Sequence, residues 1–325
     1  MLRLIVVAVA CLSASLLAAA EPAAKHDCLK DVKRVVFLGD SITHAGTYIA
    51  YVETFLRTRD PSFAVEFINC GLSSETVSGL SEPGHAGGQF PRPDVHERLE
   101  RVLAATKPDL VVACYGMNCG IYHPLAEERF AKYRDGMELL RKKASAVNAR
   151  VLHITPPVFD PLPIAARVLP AGRDVYEQPY AGYNEVLDAY AEWLVSKRAD
   201  GWDVCDAHGP LNALIAERRK TDPMFTLAKD GVHPNNIGHR VIADALLVHL
   251  GALGEPAPIP DDGESDLDAD VLKLVKQRLA LMHDAWLTKT GHKRPGVKAG
   301  LPLEEAQAKA AELERQIAAL LKKPS

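Results

Sequence analysis

Residues 35–38, Val-Val-Phe-Leu, are apolar without a break. A run of this length, rich in β-formers, predicts a short strand buried on both faces. Gly39 allows a sharp turn at its end, and a helix is predicted over 48–59. Segments rich in apolar and β-branched residues at 64–69, 110–114, 151–154 and 202–205 predict four more strands. Between them lie helical patterns at 93–106, 125–146, 179–198 and 236–250. The first of these places Val95, Leu99, Val102 and Leu103 on one face. Lys107-Pro108-Asp109 breaks it, and Pro156-Pro157 stops the fourth strand. The stretch from the fifth strand to Asp230 reads as loop. Strands alternating with helices at this spacing predict an α/β protein: a parallel sheet with helices on both faces.

The pattern changes at both ends. Arg3, an apolar run over 4–17 and Ala18-Ala19-Ala20 read as a secretory signal peptide at 1–20, too short to span a membrane. The mature chain is thus expected to be secreted or periplasmic, without membrane insertion. A polar lead-in covers 21–33. Residues 72–91 form a long loop rich in Gly, Ser and Pro, and loops of that length are usually functional or disordered. Residues 251–266 read as a linker, and 267–325 as a helical extension with helices at 267–286 and 303–321. Leu272, Val275, Leu279, Met282 and Trp286 form one apolar stripe. Two helices bury too little surface to stand alone, so the extension is expected to dock on the main domain.

The chain of 325 residues suffices for one large α/β domain with an appendage. A formal net charge of −4, with no basic stripe, gives no sign of a nucleic-acid partner. Beyond the leader, Cys28, Cys70, Cys114, Cys119 and Cys205 are few and in no CxxC spacing, which argues against a disulfide framework or zinc site but leaves room for one bridge. No HExxH, P-loop or dinucleotide fingerprint is present, so neither metal nor nucleotide cofactor is expected.

Candidate chemistry lies at the strand ends. Ser41 leaves the first strand, where a parallel sheet places its reactive groups. The turn is not a Gly-x-Ser-x-Gly elbow, because Thr43 stands where the last glycine would be. A serine nucleophile needs a base, a group to orient the base, and donors for the oxyanion. Asp230 and His233, three apart before the last helix, suit the orienting and base roles; taken alone they also suit a surface pair. Gly71 after the second strand allows close backbone approach, and Asn118 after the third offers a side-chain amide; each is equally at home in an ordinary turn.

Taken together, Gly39-Asp40-Ser41, Gly71, Gly116-Met117-Asn118 and Asp230-Gly231-Val232-His233-Pro234 resemble the four ordered blocks of the SGNH (GDSL-type) hydrolases. The resemblance covers residues 33–250. It implies a flavodoxin-like three-layer α/β/α sandwich and ester hydrolysis. It makes Ser41 the nucleophile, His233 the base and Asp230 its orienting partner. Ser41, Gly71 and Asn118 become the oxyanion hole. The sequence departs from the family at the third block, usually Gly-x-Asn-Asp, where Cys119 replaces the aspartate and leaves support of the asparagine in question. Cys119 is then either a reactive thiol or a small core residue.

The loop after Gly71 is similar to one in family members encoded with bacterial polysaccharide-degrading enzymes. Either it walls a pocket, with Asp40, Glu75, His85 and Arg92 as candidates for contact with polar substrate, or it is a solvated loop. The leading reading is a secreted serine esterase acting on small acyl, above all acetyl, esters of carbohydrate. A lysophospholipase or thioesterase would need a broad apolar groove. A catalytically silent carbohydrate-binding protein would be expected to have lost Ser41, Asp230 or His233, and all are present.

Overall fold

Five parallel strands form one sheet in a computed structural model that describes residues 29–322. They are β1 (Arg34–Gly39), β2 (Glu66–Asn69), β3 (Leu110–Cys114), β4 (Arg150–Ile154) and β5 (Asp203–Cys205), in the order β2-β1-β3-β4-β5. Val35 pairs with Phe67 on one side and Leu110 on the other, and Gly39 ends level with Cys114. All of β3 and all but the first residue of β1 are buried. That is why both read as unbroken apolar runs. The predicted leader and Cys28 lie outside the described residues.

The helices are α1 (Ser41–His44), α2 (Thr47–Arg59), α3 (Leu99–Thr106), α4 (Glu127–Ser145), α5 (Tyr183–Ser196), α6 (His208–Arg218), α7 (Asn236–His249), α8 (Ala269–Thr290) and α9 (Leu303–Leu321). The chain moves one way from β1 to β2 and the other way through β3, β4 and β5. Right-handed crossovers therefore put α2 on one face and α3, α4 and α5 on the other. α7 packs on α2 and on α6, and α3 packs on α4. Tyr133 of α4 stacks on Tyr190 of α5, with centroids 4.2 Å apart. The result is the flavodoxin-like three-layer sandwich, whose strand order reverses between β1 and β3. Open α/β sheets bind ligands beyond the carboxyl ends of the strands at that reversal.

Two local expectations need correction. The stretch after β5 is not all loop, since it contains α6. Gly209 and Pro210 read as breakers, but they lie in the first turn, where a helix needs no N–H donor. The helix predicted at 93–106 is α-helical only over Leu99–Thr106, with a separate 3-10 turn at Val95–Glu97.

Residues 250–268 form neither helix nor strand, and α8 follows, begun by the Asp268 side chain and ended by Gly291 at φ 69°. α8 packs on α2, β2 and α3, so it runs along the β2 edge of the sheet. Covering an edge strand in this way blocks further strand pairing. Its buried stripe includes Val271, Val275, Leu279, Met282 and Trp286, the last only 5% exposed. Arg278 of α8 pairs with Glu53 of α2 and, at 2.8 Å, with Glu314 of α9; Arg57 of α2 also meets Glu314, at 2.7 Å.

Candidate active site

The turn after β1 is built to be tight. A Cβ at Gly39 would lie 2.2 Å from Thr43 Oγ1 and 2.7 Å from the Cys114 carbonyl oxygen, so only glycine fits. Asp40 caps α1: its Oδ1 accepts the Ile42 N–H at 3.0 Å. Burial raises the Asp40 carboxyl to about 6, against the pull of Ile42, His233 and Arg92. The expected substrate contact at Asp40 is therefore corrected, because its side chain is enclosed and spent on the cap. Ser41 becomes the first residue of α1, and its N–H has no partner within the helix.

The loop before α7 brings the base to the serine. The Ser41 hydroxyl lies 2.8 Å from His233 Nε2, and His233 Nδ1 lies 2.6 Å from Asp230 Oδ2. The other Asp230 oxygen accepts the N–H groups of Val232 (3.0 Å) and His233 (2.8 Å). Partial burial disfavours the Asp230 charge, but these hydrogen bonds outweigh it and hold the carboxyl below its usual range. An ionised carboxylate only accepts, so Nδ1 carries the ring hydrogen and Nε2 receives the serine proton. Gly231 turns the loop at φ 80°, and Asn235 caps α7 by accepting the Gly238 N–H at 3.0 Å.

Asn118 is held by residues from three segments. Its Oδ1 accepts Arg92 Nη1–H at 2.9 Å and the Tyr122 hydroxyl at 3.1 Å. This fixes which end of the carboxamide is Nδ2, and Nδ2 donates a long bond of 3.3 Å to the Glu75 carbonyl. Arg92 is itself clamped by Glu82 at 2.6 and 2.7 Å. Ile121 and Tyr122 both have left-handed backbones, φ 50° and 58°. Such strain in bulky residues clusters at functional sites. Arg92, expected to touch substrate, instead orients Asn118, and it supplies the support that Cys119 cannot.

Three further expectations change. Gly71 N–H donates to Asn69 Oδ1 at 2.9 Å, so it is committed and not free for an oxyanion. Three residues on, the same loop bends through Ser74, a non-glycine at φ 68° whose N–H has no acceptor among the described residues. Leu72 N–H binds the Gly39 carbonyl at 2.9 Å, and the Glu75 carbonyl binds Asn118, so Ser74 lies between the Ser41 turn and Asn118. Glu75 is not a substrate contact. Fully buried, it takes Arg98 at 2.6 and 2.8 Å and the Tyr115 hydroxyl at 2.6 Å. His85 lies 3.5 Å from Glu82 and edge-on to Phe90, with its Nε2 enclosed. Cys119 is a core residue: burial raises its thiol to about 12, and its Sγ accepts the Val77 N–H at 3.4 Å. Such a thiol is inert. His292 and Lys293 of the extension share a cleft with Leu72, Arg92 and Pro93. Nothing in the sequence flagged Tyr122, Arg98 or Ser74; no turn residue marks the two left-handed positions after Gly120.

The model of the GDSL-like lipase/acylhydrolase family matches residues 37–241. An acetylxylan esterase from Geobacillus stearothermophilus is 25% identical over 238 residues, which is 67% of this chain and 94% of that protein. The crystal structure of a catalytic mutant of an acetylxylan esterase from the same organism aligns with a TM-score of 0.50 at 21% identity, over 70% of this chain and 97% of that one. A gut microbial diltiazem-metabolizing enzyme aligns with a TM-score of 0.51 at 22% identity, over 67% of this chain. This chain spans about half of that enzyme, 47%. At these identities the two structures show a shared fold.

Proposed function

The chain belongs to the GDSL-like lipase/acylhydrolase family and hydrolyses ester bonds, and from that premise we propose that it does so through Ser41, His233 and Asp230, by way of an acyl-enzyme. The observation that carries the reading is the unbroken hydrogen-bond relay Ser41–His233–Asp230, 2.8 and 2.6 Å long. Ser41 Oγ attacks the ester carbonyl carbon while its proton passes to His233 Nε2. Asp230 stabilises the imidazolium that forms. The tetrahedral oxyanion is met by Asn118 Nδ2 and by the N–H groups of Ser41 and Ser74. As the intermediate collapses, His233 returns the proton to the leaving alcohol. Water then repeats the sequence in reverse and frees the carboxylic acid.

The proposed substrate is a small acyl ester, in particular an acetyl ester on carbohydrate. The similarity to an acetylxylan esterase supports this. The leader at 1–20 supports release outside the cytoplasm. Among the described residues no helix is long and apolar enough to cross a membrane.

Turnover of p-nitrophenyl esters of increasing acyl length, followed by acetylated polysaccharides, tests the proposal. Acetate is expected to be preferred, and Ser41→Ala to lose about 10⁴-fold or more in kcat with an unchanged melting temperature. Wild-type turnover in Ser41→Ala, or no labelling of the intact protein by a fluorophosphonate, refutes the triad.

A further inference from the structure

The mechanism requires two pieces of backbone to keep a fixed separation: the turn that carries Ser41 and the loop that carries Ser74. One side chain that bridges them comes from α8, beyond the segment matched to the family, which ends at residue 241. His283 is 4% exposed, and its Nε2 lies 2.9 Å from the Gly71 carbonyl oxygen. Its ring meets that of His44 edge-on, with centroids 4.4 Å apart. His44 is the last residue of α1, the helical turn that Ser41 begins. One side chain of the extension therefore touches both pieces.

The contact leaves little slack. A carbonyl oxygen only accepts, so His283 Nε2 carries the hydrogen. Burial lowers the His283 pKa, against the opposing effects of the Gly71 carbonyl and Asp284, which favours a neutral ring. Gly71 is fixed on each side. Its N–H goes to Asn69 Oδ1 at 2.9 Å, Asn69 Nδ2 goes to the Thr43 carbonyl at 2.8 Å, and the next N–H, of Leu72, goes to the Gly39 carbonyl at 2.9 Å. A Cβ at Gly71 would lie 2.5 Å from His44 N, so the loop and α1 are already in backbone contact. The Gly71 carbonyl is the point at which the extension reaches this junction.

We propose that His283 is a positioning residue for ester hydrolysis: through the Gly71 carbonyl and the His44 ring, it locks the Ser74 loop to the nucleophile turn and makes the C-terminal helices part of the catalytic apparatus. The proposal rests on the triad reading above. A small displacement of an oxyanion donor weakens the transition state more than the bound ester, so the loss falls on kcat.

His283→Gln and His283→Asn in the full chain test it, with p-nitrophenyl acetate as substrate. A glutamine amide reaches about as far as Nε2, whereas an asparagine amide falls short. His283→Asn is expected to lose about 10- to 100-fold in kcat, with KM within about two-fold of wild type. His283→Gln is expected to stay within about three-fold of wild-type kcat, and fluorophosphonate labelling rates should follow the same order. Urea unfolding of each variant gives the folded fraction at assay conditions. Equal activity of the two variants, a change confined to KM, or losses that only track unfolding would overturn the proposal. So would failure of both to fold, since His283 would then serve stability alone. Wild-type turnover by Ser41→Ala would instead break the triad reading, which keeps the two failures apart.

Discussion

Replacing Asp40 with Asn is expected to make the protein more tolerant of high pH. The carboxyl is enclosed and its pKa rises from 3.8 to about 6, burial being the main cause. In the unfolded chain the group ionises near the lower value, so over the interval between them the unfolded state has lost its proton while the folded state still holds one. Folding stability therefore falls as pH climbs from about 4 to 6 and stays low above that. Two pKa units at about 1.36 kcal/mol each put the full penalty near 3 kcal/mol, of which about 2 kcal/mol develops between pH 4.5 and pH 8. Asn keeps an oxygen to accept the Ile42 N–H, so the cap on α1 survives. The cost of enclosing the new amide does not depend on pH and cancels when two pH values are compared. Urea unfolding of wild type and Asp40→Asn at pH 4.5 and pH 8 measures this difference of differences. The variant should gain about 2 kcal/mol relative to wild type on going to pH 8. A pH-independent difference would show that Asp40 carries no buried-charge penalty, and a change of opposite sign would mean that its ionised form is favoured by folding.

Asn118→Ala should lower kcat by about 10²–10³-fold with little change in KM, since an oxyanion donor acts mainly in the transition state; steady-state kinetics showing a pure KM effect would make it a substrate-binding residue. Glu75→Gln should cost about 3–5 kcal/mol of stability by urea unfolding, because it leaves the buried Arg98 guanidinium without its counter-charge; a loss under 1 kcal/mol would contradict that. Limited proteolysis should not release residues 267–325 without loss of stability and activity, given the packing of α8 on α2, β2 and α3; a freed core with wild-type properties would make the extension independent.

Much of this molecule was legible in order along the chain. The five strands follow from apolar runs, because a strand buried on both faces must be apolar at nearly every position. The family resemblance also rests on blocks that are local in sequence, each at a strand end or just before α7. Asp230 and His233 sit three residues apart, so one turn suffices to bring them together. The support of Asn118, the pairing of Glu75 and the tie from Gly71 to α8 are different in kind. Arg92 and Asn118 are 26 residues apart, Glu75 and Tyr115 are 40 apart, and Gly71 and His283 are 212 apart. Periodicity reports how often a side chain faces the core, which depends on neighbours two to four positions away. Which buried donor meets which acceptor depends on how separate segments end beside one another at the top of the sheet. The sequence by itself determined the layers, the strands and the residues able to do acyl chemistry. Only the tertiary structure decided that Glu75 is enclosed against Arg98 and Tyr115, that Arg92 turns Asn118, and that the Gly71 carbonyl meets His283, because each is a pairing of polar groups that must be completed once water is excluded.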